Sequence, residues 1–405
     1  MIGDMTRMRR TAAGLALALA ASVVVVAATG GPASAADWYN SIEGTSPATR
    51  TWMTRVADGT SLAALSVPGT HDTLALCGLS TSDGGCEAVS SGITQTQERK
   101  GFSGGALGVQ LNNGIRSIDI RVRVDRGAAG LTFTIHHGVY YQRANFTDVL
   151  TRLRDWLAAN PRETVLLNLK AECVGAGAGD CYDAEGYATD EWRRRVFESY
   201  LDGRAYTGDG DAYRPATAFR DLFWAPAVSG TRAAVPTLGE VRGKVVLVAF
   251  RGVRGGPYDG YGLRELAGNM GEYVQDDYQV PTTAAIAGKW EKARTHLRRT
   301  NGVWDSTRAG EREYGHKPGD LYVNYTSGAG AGAFPYTVAG GGLFVTGVNQ
   351  FLYQCLRNTD GRCPEFYAGR PSNFGGEASM RRTGVVMMDF PGGRLIDEIV
   401  ARNFD

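Results

Sequence analysis

Short apolar runs separated by amphipathic stretches recur over residues 36–405, the pattern of an α/β protein. The runs predict strands over Leu62–Val67, Arg116–Arg123, Leu131–His136, Thr164–Lys170, Lys244–Phe250, Leu321–Tyr325, Leu343–Val348 and Gly384–Asp389. Val149, Leu150, Leu153, Trp156 and Leu157 recur at helical spacing and stop at Asn160-Pro161. A second helix puts Trp192, Val196, Phe197, Tyr200 and Leu201 on one face and ends at Gly203; a third runs from Trp290 to Arg299 with a basic outer face. No Pro- or Ser-rich linker divides these elements, so residues 36–405 read as one domain.

The polar residues at strand ends sharpen this. In Arg116–Arg123, Ile118, Ile120 and Val122 share one face and Asp119, Arg121 and Arg123 the other. Thr164–Glu172 repeats the scheme, with Val165, Leu167 and Leu169 alternating with Asn168, Lys170 and Glu172. An apolar face under helices, with charge gathered near the C-terminal ends, fits a barrel whose reactive groups meet at one mouth. An ordinary two-layer sheet would show its polar face to water along the whole strand.

Residues 1–35 read as an export signal. Arg7, Arg9 and Arg10 precede an apolar stretch from Ala12 to Ala28, and Ala33-Ser34-Ala35 forms a small-residue cleavage site. A membrane anchor would need about 20 apolar residues and would leave the cleavage site unexplained. The expected product is secreted and begins near Ala36. Without residues 1–35, which hold three of the basic residues and Asp4, 40 basic and 41 acidic side chains remain. That balance excludes nucleic acid as the main partner, which would need a basic footprint. It also supplies no polybasic attraction to membranes.

All six cysteines lie beyond the leader, in close pairs: Cys77 and Cys86, Cys173 and Cys181, Cys355 and Cys363. Six cysteines allow about 15 connectivities. In an oxidising compartment, the close spacing reads as three local staples. A zinc site would want C-x-x-C spacing and nearby histidines.

Only five histidines exist: His71, His136, His137, His296 and His316. His71 ends the run Leu65-Ser-Val-Pro-Gly-Thr-His-Asp72, where Pro68-Gly69 is expected to turn sharply. By alternation His137 shares a face with Phe133 and Ile135, while His136 lies opposite. A lone strand-end histidine is more often structural than catalytic. Two on different strands, beside Asp72, Asp119 and Arg121, suit phosphodiester cleavage: one imidazole deprotonates a hydroxyl, the other protonates the leaving oxygen. A guanidinium between them neutralises growing phosphoryl charge. His296 and His316 read as structural.

Ser66-Val-Pro-Gly-Thr-His-Asp72, Gly114-Ile-Arg-Ser-Ile-Asp-Ile-Arg-Val-Arg123 and His136-His-Gly138 together resemble the X-domain of secreted bacterial phosphatidylinositol-specific phospholipases C. Asn160-Pro-Arg-Glu-Thr164 through Lys170 and Glu172, Val274-Gln-Asp-Asp-Tyr278, Leu321-Tyr-Val-Asn324 and Val386-Met-Met-Asp-Phe390 extend the likeness over roughly residues 55–405.

The resemblance implies a single distorted TIM-type (β/α) barrel. It implies cleavage of phosphatidylinositol, or its glycosylated form, to diacylglycerol and inositol 1,2-cyclic phosphate. His71 is then the base on the inositol 2-hydroxyl and Asp389 its orienting carboxylate. His137 is the acid, assisted by Asp72, and Arg121 grips the phosphate beside Asp119. Lys170, Glu172, Asp276, Tyr278 and Arg251 would bind inositol, although Phe250 competes for the last position. Calcium-dependent relatives place an acidic ligand where Arg121 stands, so no metal and no cofactor are expected. The implied partner is a phospholipid at a membrane surface, met transiently by a monomer.

Two rivals belong to other classes. A calcium-dependent glycerophosphodiesterase or sphingomyelinase D-like barrel would want acidic ligands in place of Arg121. An inactive inositol- or glycan-binding module would lack a histidine or Asp389. Ser327–Ala333 lacks the Gly-Lys-Ser/Thr ending of a phosphate loop and reads as a rim loop, with Phe334 and Tyr336 beside it as membrane-facing or loop-core aromatics.

Overall fold

The alternating segments pair as strands around a charged interior. In the computed structural model, the described residues are 42–76, 103–175, 181–208, 210–224, 234–251, 273–303, 319–358, 363 and 380–405. The leader, the Cys77–Cys86 pair and His316 lie outside them. The main sheet has nine strands: β1 (Ser66–Thr70), β2 (Ser117–Gly127), β3 (Gly130–His137), β4 (Tyr140–Asn145), β5 (Val165–Ala171), β6 (Val245–Arg251), β7 (Val274–Gln275), β8 (Val323–Tyr325) and β9 (Gly384–Met388). Seven run parallel in the order β6-β5-β2-β1-β9-β8-β7, and β3 and β4 add antiparallel beyond β2. Phe223 bridges to Val245 outside β6. Among the described residues no pairing joins that edge to β7.

Helices cover the apolar strand faces: α1 (Ser103–Asn112), α2 (Phe146–Ala159), α3 (Asp190–Asp202), α4 (Ile286–Thr300), α5 (Pro335–Gly340), α6 (Val348–Leu356) and α7 (Gly393–Ala401). Ile118, Ile120, Val122, Leu167 and Leu169 are fully or almost fully buried in one cluster with Val149, Leu150 and Leu153 of α2. Each such side chain contributes roughly 1.5–3 kcal/mol on burial. Local chemistry sets the helix ends. Asn145 and Asp148 form a capping box at α2, and Gly203 (φ 70°) closes α3 in the left-handed region.

Three expectations need correction. The strand predicted over Leu62–Val67 opens instead as a 3-10 turn, Leu62–Ala64, capped by the Ser61 hydroxyl, and the strand itself is Ser66–Thr70. Pro68-Gly69 does not turn; both residues lie inside β1, between β9 and β2. A Cβ on Gly69 would meet the Met387 sulfur at 2.6 Å and the Ser117 Cβ at 2.8 Å, so close strand approach accounts for the glycine. Leu343–Val348 is not a barrel strand. Only Val345–Thr346 is extended, in a hairpin with Gly341–Gly342, because a glycine-rich approach leaves too short a segment to cross the sheet.

At the N-terminal end of the strands, Arg116 and Glu163 form a fully buried pair (2.8 Å), and Glu163 also accepts from Thr54. Removing one partner would cost about 3–5 kcal/mol by stranding the other charge. Cys173–Cys181 and Cys355–Cys363 are disulfides, as the spacing implied.

Candidate active site

β1 delivers His71 to the C-terminal end of the barrel. The His71 N–H donates to the Met388 carbonyl (2.9 Å), and the chain then turns through Asp72 at φ 47°. A non-glycine residue there costs about 1–3 kcal/mol. Asp119 holds the turn: its carboxylate accepts from the Asp72 N–H (3.1 Å), its carbonyl accepts from Thr73 N–H (3.0 Å), and its own N–H donates to the Thr73 hydroxyl (2.8 Å).

The His71 ring is fixed at both nitrogens. Nδ1 lies 2.9 Å from Oδ1 of Asp389, just past β9, and Nε2 lies 2.6 Å from an Arg121 Nη. Arginine can only donate, so Nε2 accepts and Nδ1 carries its proton toward Asp389. This is the tautomer a general base requires, with the outward lone pair available once the guanidinium yields to substrate. Tyr325 packs edge-on to the ring at 5.8 Å. Burial and the Arg121 charge pull the imidazole pKa down, but the Asp389 and Asp72 carboxylates together prevail and the net shift is upward. Burial in turn pushes the Asp389 carboxyl up, against the pull of His71.

Arg121 is the electrostatic centre. Its guanidinium meets Asp72 at 2.8 Å, Asp119 at 3.2 Å and Glu172 at 3.5 Å. Burial disfavours its charge, yet these carboxylates hold its pKa well above the usual arginine range. Register explains the meeting: β2 and β5 pair Asp119 with Asn168 and Arg121 with Lys170, so alternate residues of both strands face inward together.

His137 closes β3 opposite, with Nε2 3.5 Å from Oδ2 of Asp72, so one carboxylate touches both Arg121 and His137. His136 is buried, points away and lies 3.3 Å from the Gly138 carbonyl. Glu172 accepts from the Gly138 N–H (3.0 Å) and from Lys170 (2.8 Å). Burial raises its pKa, but Arg121 and Lys170 prevail and hold it far below the usual range. The structure thus sets Glu172 behind the cavity wall, bracing the His137–Gly138 turn.

A cavity of about 360 Å³ is lined by His71, Asp72, Arg121, His137, Lys170, Asp276, Tyr278, Gly328, Ala329 and Asp389. Ten residues from distant parts of the sequence meet there. Tyr278 stands at the rim, 57% exposed. Arg251 ends β6 beside Lys170, and its side chain lies outside the described residues; Phe250 packs into the core against Phe133 and Phe197.

Sequence reasoning passed over what supports the far wall. Lys289 of α4 is buried and donates to the Asp277 carbonyl (2.7 Å) and to the Gln275 amide oxygen (3.1 Å). Burial pushes its pKa down to about 8 against the pull of Asp276 and Asp277. The signal was available, since Lys289 falls in phase with Ile286, Ala293 and Leu297 on the buried face of α4.

The family model for the phosphatidylinositol-specific phospholipase C X domain matches residues 89–180. A 1-phosphatidylinositol phosphodiesterase of Listeria monocytogenes is 28% identical over 256 residues, covering 62% of this chain and 65% of that protein, just under two thirds of its length. One from Staphylococcus aureus is 25% identical over 319 residues, covering 73% of this chain and 81% of that protein. Among solved structures, the phosphatidylinositol-specific phospholipase C from Listeria monocytogenes superposes with a TM-score of 0.54 at 22% identity, over 87% of this chain and 98% of that one. A Staphylococcus aureus phosphatidylinositol-specific phospholipase C structure gives 0.54 at 19% identity, over 89% and 99%. The fold and the family resemblance drawn from the strand-end motifs are therefore shown.

Proposed function

We propose that this chain, similar along most of its length to phosphatidylinositol-specific phospholipases C, cleaves phosphatidylinositol or a glycosylated phosphatidylinositol into diacylglycerol and inositol 1,2-cyclic phosphate. The observation that carries the reading is the Asp389–His71–Arg121 line at 2.9 and 2.6 Å, facing His137 across one cavity.

In this reading Nε2 of His71 takes the proton of the inositol 2-hydroxyl. The oxygen attacks the phosphorus of its own phosphodiester, and the bond to the diacylglycerol oxygen breaks. Asp389 stabilises the imidazolium formed at His71. Protonated His137, steadied by Asp72, gives its proton to the leaving oxygen. Arg121 meets the charge on the phosphoryl oxygens, held in place by Asp72, Asp119 and Glu172. Nucleophile and phosphorus belong to one molecule, so much of the rate comes from proximity. Water then opens the ring more slowly with the histidines exchanging roles. Asp276, Tyr278 and Lys170 bind inositol hydroxyls, and Arg251 adds to them. Because Arg121 supplies the positive charge at the phosphate, the reaction needs neither metal nor cofactor.

The substrate is met at a lipid surface by a secreted monomer, released by cleavage near Ala35. Exposed apolar side chains, three of them in or next in sequence to cavity-lining segments, support the lipid surface. Val139 follows the His137–Gly138 turn, Tyr278 follows Asp276, and Phe334 ends the loop that carries Gly328 and Ala329; all three are exposed. Leu343 (88% exposed) and Phe344 (92%) form the tip of the hairpin after α5. Tyr336, in the first turn of α5, is half-buried against Phe390, 5.2 Å between centroids. Among the described residues no helix is long and apolar enough to cross a membrane.

Phosphorus NMR of phosphatidylinositol and phosphatidylcholine vesicles, incubated with the protein in chelator, tests the reading. It expects a cyclic inositol phosphate signal from the first lipid alone. No turnover by folded protein, or turnover that appears only on adding calcium, would contradict it.

A further inference from the structure

Asp389 has a second feature beyond its contact with His71. The residue after it, Phe390, is a fully buried phenylalanine at φ 44°, a left-handed conformation that a bulky side chain rarely adopts. The residue after His71 is left-handed as well, at Asp72. Both partners of the His71–Asp389 pair therefore sit at the entrance of a strained turn. Strain of this kind persists only where the surroundings hold it. Asp119 holds the first turn through hydrogen bonds on both sides.

The second turn is held by Asn349. This residue lies in the first turn of α6, is 1% exposed, and has Val348, Phe351 and Leu352 as buried neighbours. Asparagine is a poor helix former, and an amide in such surroundings must find partners. Its Nδ2 donates to the main-chain carbonyls of both Asp389 (2.9 Å) and Phe390 (3.1 Å). One side chain thus fixes two successive peptide planes, on either side of the left-handed residue. The first of those planes borders the Asp389 Cα and so helps set the direction in which its side chain leaves the main chain, and the second holds the left-handed turn that follows. Tyr336 packs against the Phe390 ring and closes the turn from the other side.

We propose that Asn349 is a positioning residue for the base: by clamping the Asp389 and Phe390 carbonyls it holds the Asp389 carboxylate against His71. The inference rests on the base role proposed for His71, and its test does not. The groups facing that imidazole are Asp389, Asp72, Asp119, Arg121 and Tyr325, with Lys289 acting on Asp389. Of these, Asp389 exerts the largest upward pull on His71. Asn349→Leu keeps the side-chain size and removes both donors.

The experiment measures the His71 pKa by NMR on histidine-labelled protein, alongside kcat and KM on phosphatidylinositol, for the wild type, Asn349→Leu, Asp389→Asn and the double variant. Asn349→Leu should lower the His71 pKa in the direction that Asp389→Asn does. It should cut kcat by on the order of 10²-fold, as a misplacement of about 1 Å can, with KM little changed. It should add little once Asp389 is already Asn, because the two act through one contact. Leu352→Ala, a buried residue of the same helix, should reduce thermal stability without moving the pKa.

An unchanged His71 pKa in folded Asn349→Leu would overturn the proposal. So would full additivity with Asp389→Asn, or an equal pKa change in Leu352→Ala. If the wild type cleaves no phosphatidylinositol, the phospholipase reading fails, while the pKa comparison still decides the clamp.

Discussion

The His71 side of the cavity and the Tyr278 side carry opposite kinds of order. On the first, His71, Asp72, Asp119, Arg121 and Asp389 come from β1, β2 and the end of β9, and their carboxylates are almost wholly buried. The turns after His71 and Asp389 are locked by hydrogen bonds to their main-chain groups, and Asp72 and Phe390 are held there at positive φ. On the second, Asp276 and Tyr278 stand on the segment past the two-residue strand β7, and Tyr278 is more than half exposed. Proton transfer needs donor and acceptor closely placed, and groups braced by sheet strands meet that need better than groups on loops. Holding a ring of hydroxyls tolerates looser placement. Under the proposed function, this difference places rate on the first wall and affinity on the second.

Substitutions on the two walls should therefore break different kinetic constants. His71→Ala should lower kcat by roughly 10⁴-fold, the upper range for losing an acid–base group, with circular dichroism unchanged. A loss under tenfold would remove His71 from the chemistry. Arg121→Lys keeps the charge but not the fork that spans Asp72, Asp119 and Glu172. It should cost about 10²–10³-fold in kcat, read in the same assay.

Acid should act behind the Tyr278 side. His296 of α4 is buried, lies 2.9 Å from the Tyr273 carbonyl at the start of β7, and is pushed by burial down to about 4. An unfolded chain binds that proton near 6.5. Stability is thus complete above about pH 6.5, falls as the pH drops toward 4, and then levels, a loss on the order of 3 kcal/mol from this group. Urea unfolding at pH 7 and pH 4.5 checks it, and His296→Gln should flatten the difference. The smallest effect belongs to the rim: Tyr278→Ala should raise KM about tenfold with kcat nearly intact. A kcat loss equal to that of Arg121→Lys would erase the distinction between the walls.

The sequence carried the first wall better than the second. Period-2 alternation in β2 and β5 put Asp119, Arg121, Asn168 and Lys170 on one inward face, and their register brings Arg121 beside Lys170. Alternation also chose His137 over His136, which is buried and turned away. That Asp389 reaches His71 came from family resemblance alone, since no local pattern spans so long a separation; β1–β9 pairing supplies the contact. The strained turns at Asp72 and Phe390 were not legible, because non-glycine positive φ leaves no mark in composition. Pro68-Gly69 misled for a physical reason: the usual turn pair serves here for close packing inside a strand. Lys289 and Asn349 were each visible as polar residues in the apolar phase of a helix, but which main-chain groups they hold is decided by tertiary packing.

The division of labour between the two histidines is tested most directly by a substrate whose leaving group needs no acid. Rates for wild type, His71→Ala and His137→Ala would be compared on the nitrophenyl ester of inositol 1-phosphate, whose phenolate departs unprotonated. His137→Ala should recover nearly the wild-type rate on this ester, while His71→Ala should stay slow, because the hydroxyl still lacks its base. Equal rescue of both variants, or rescue of His71→Ala alone, would contradict the assignment of base to His71 and acid to His137.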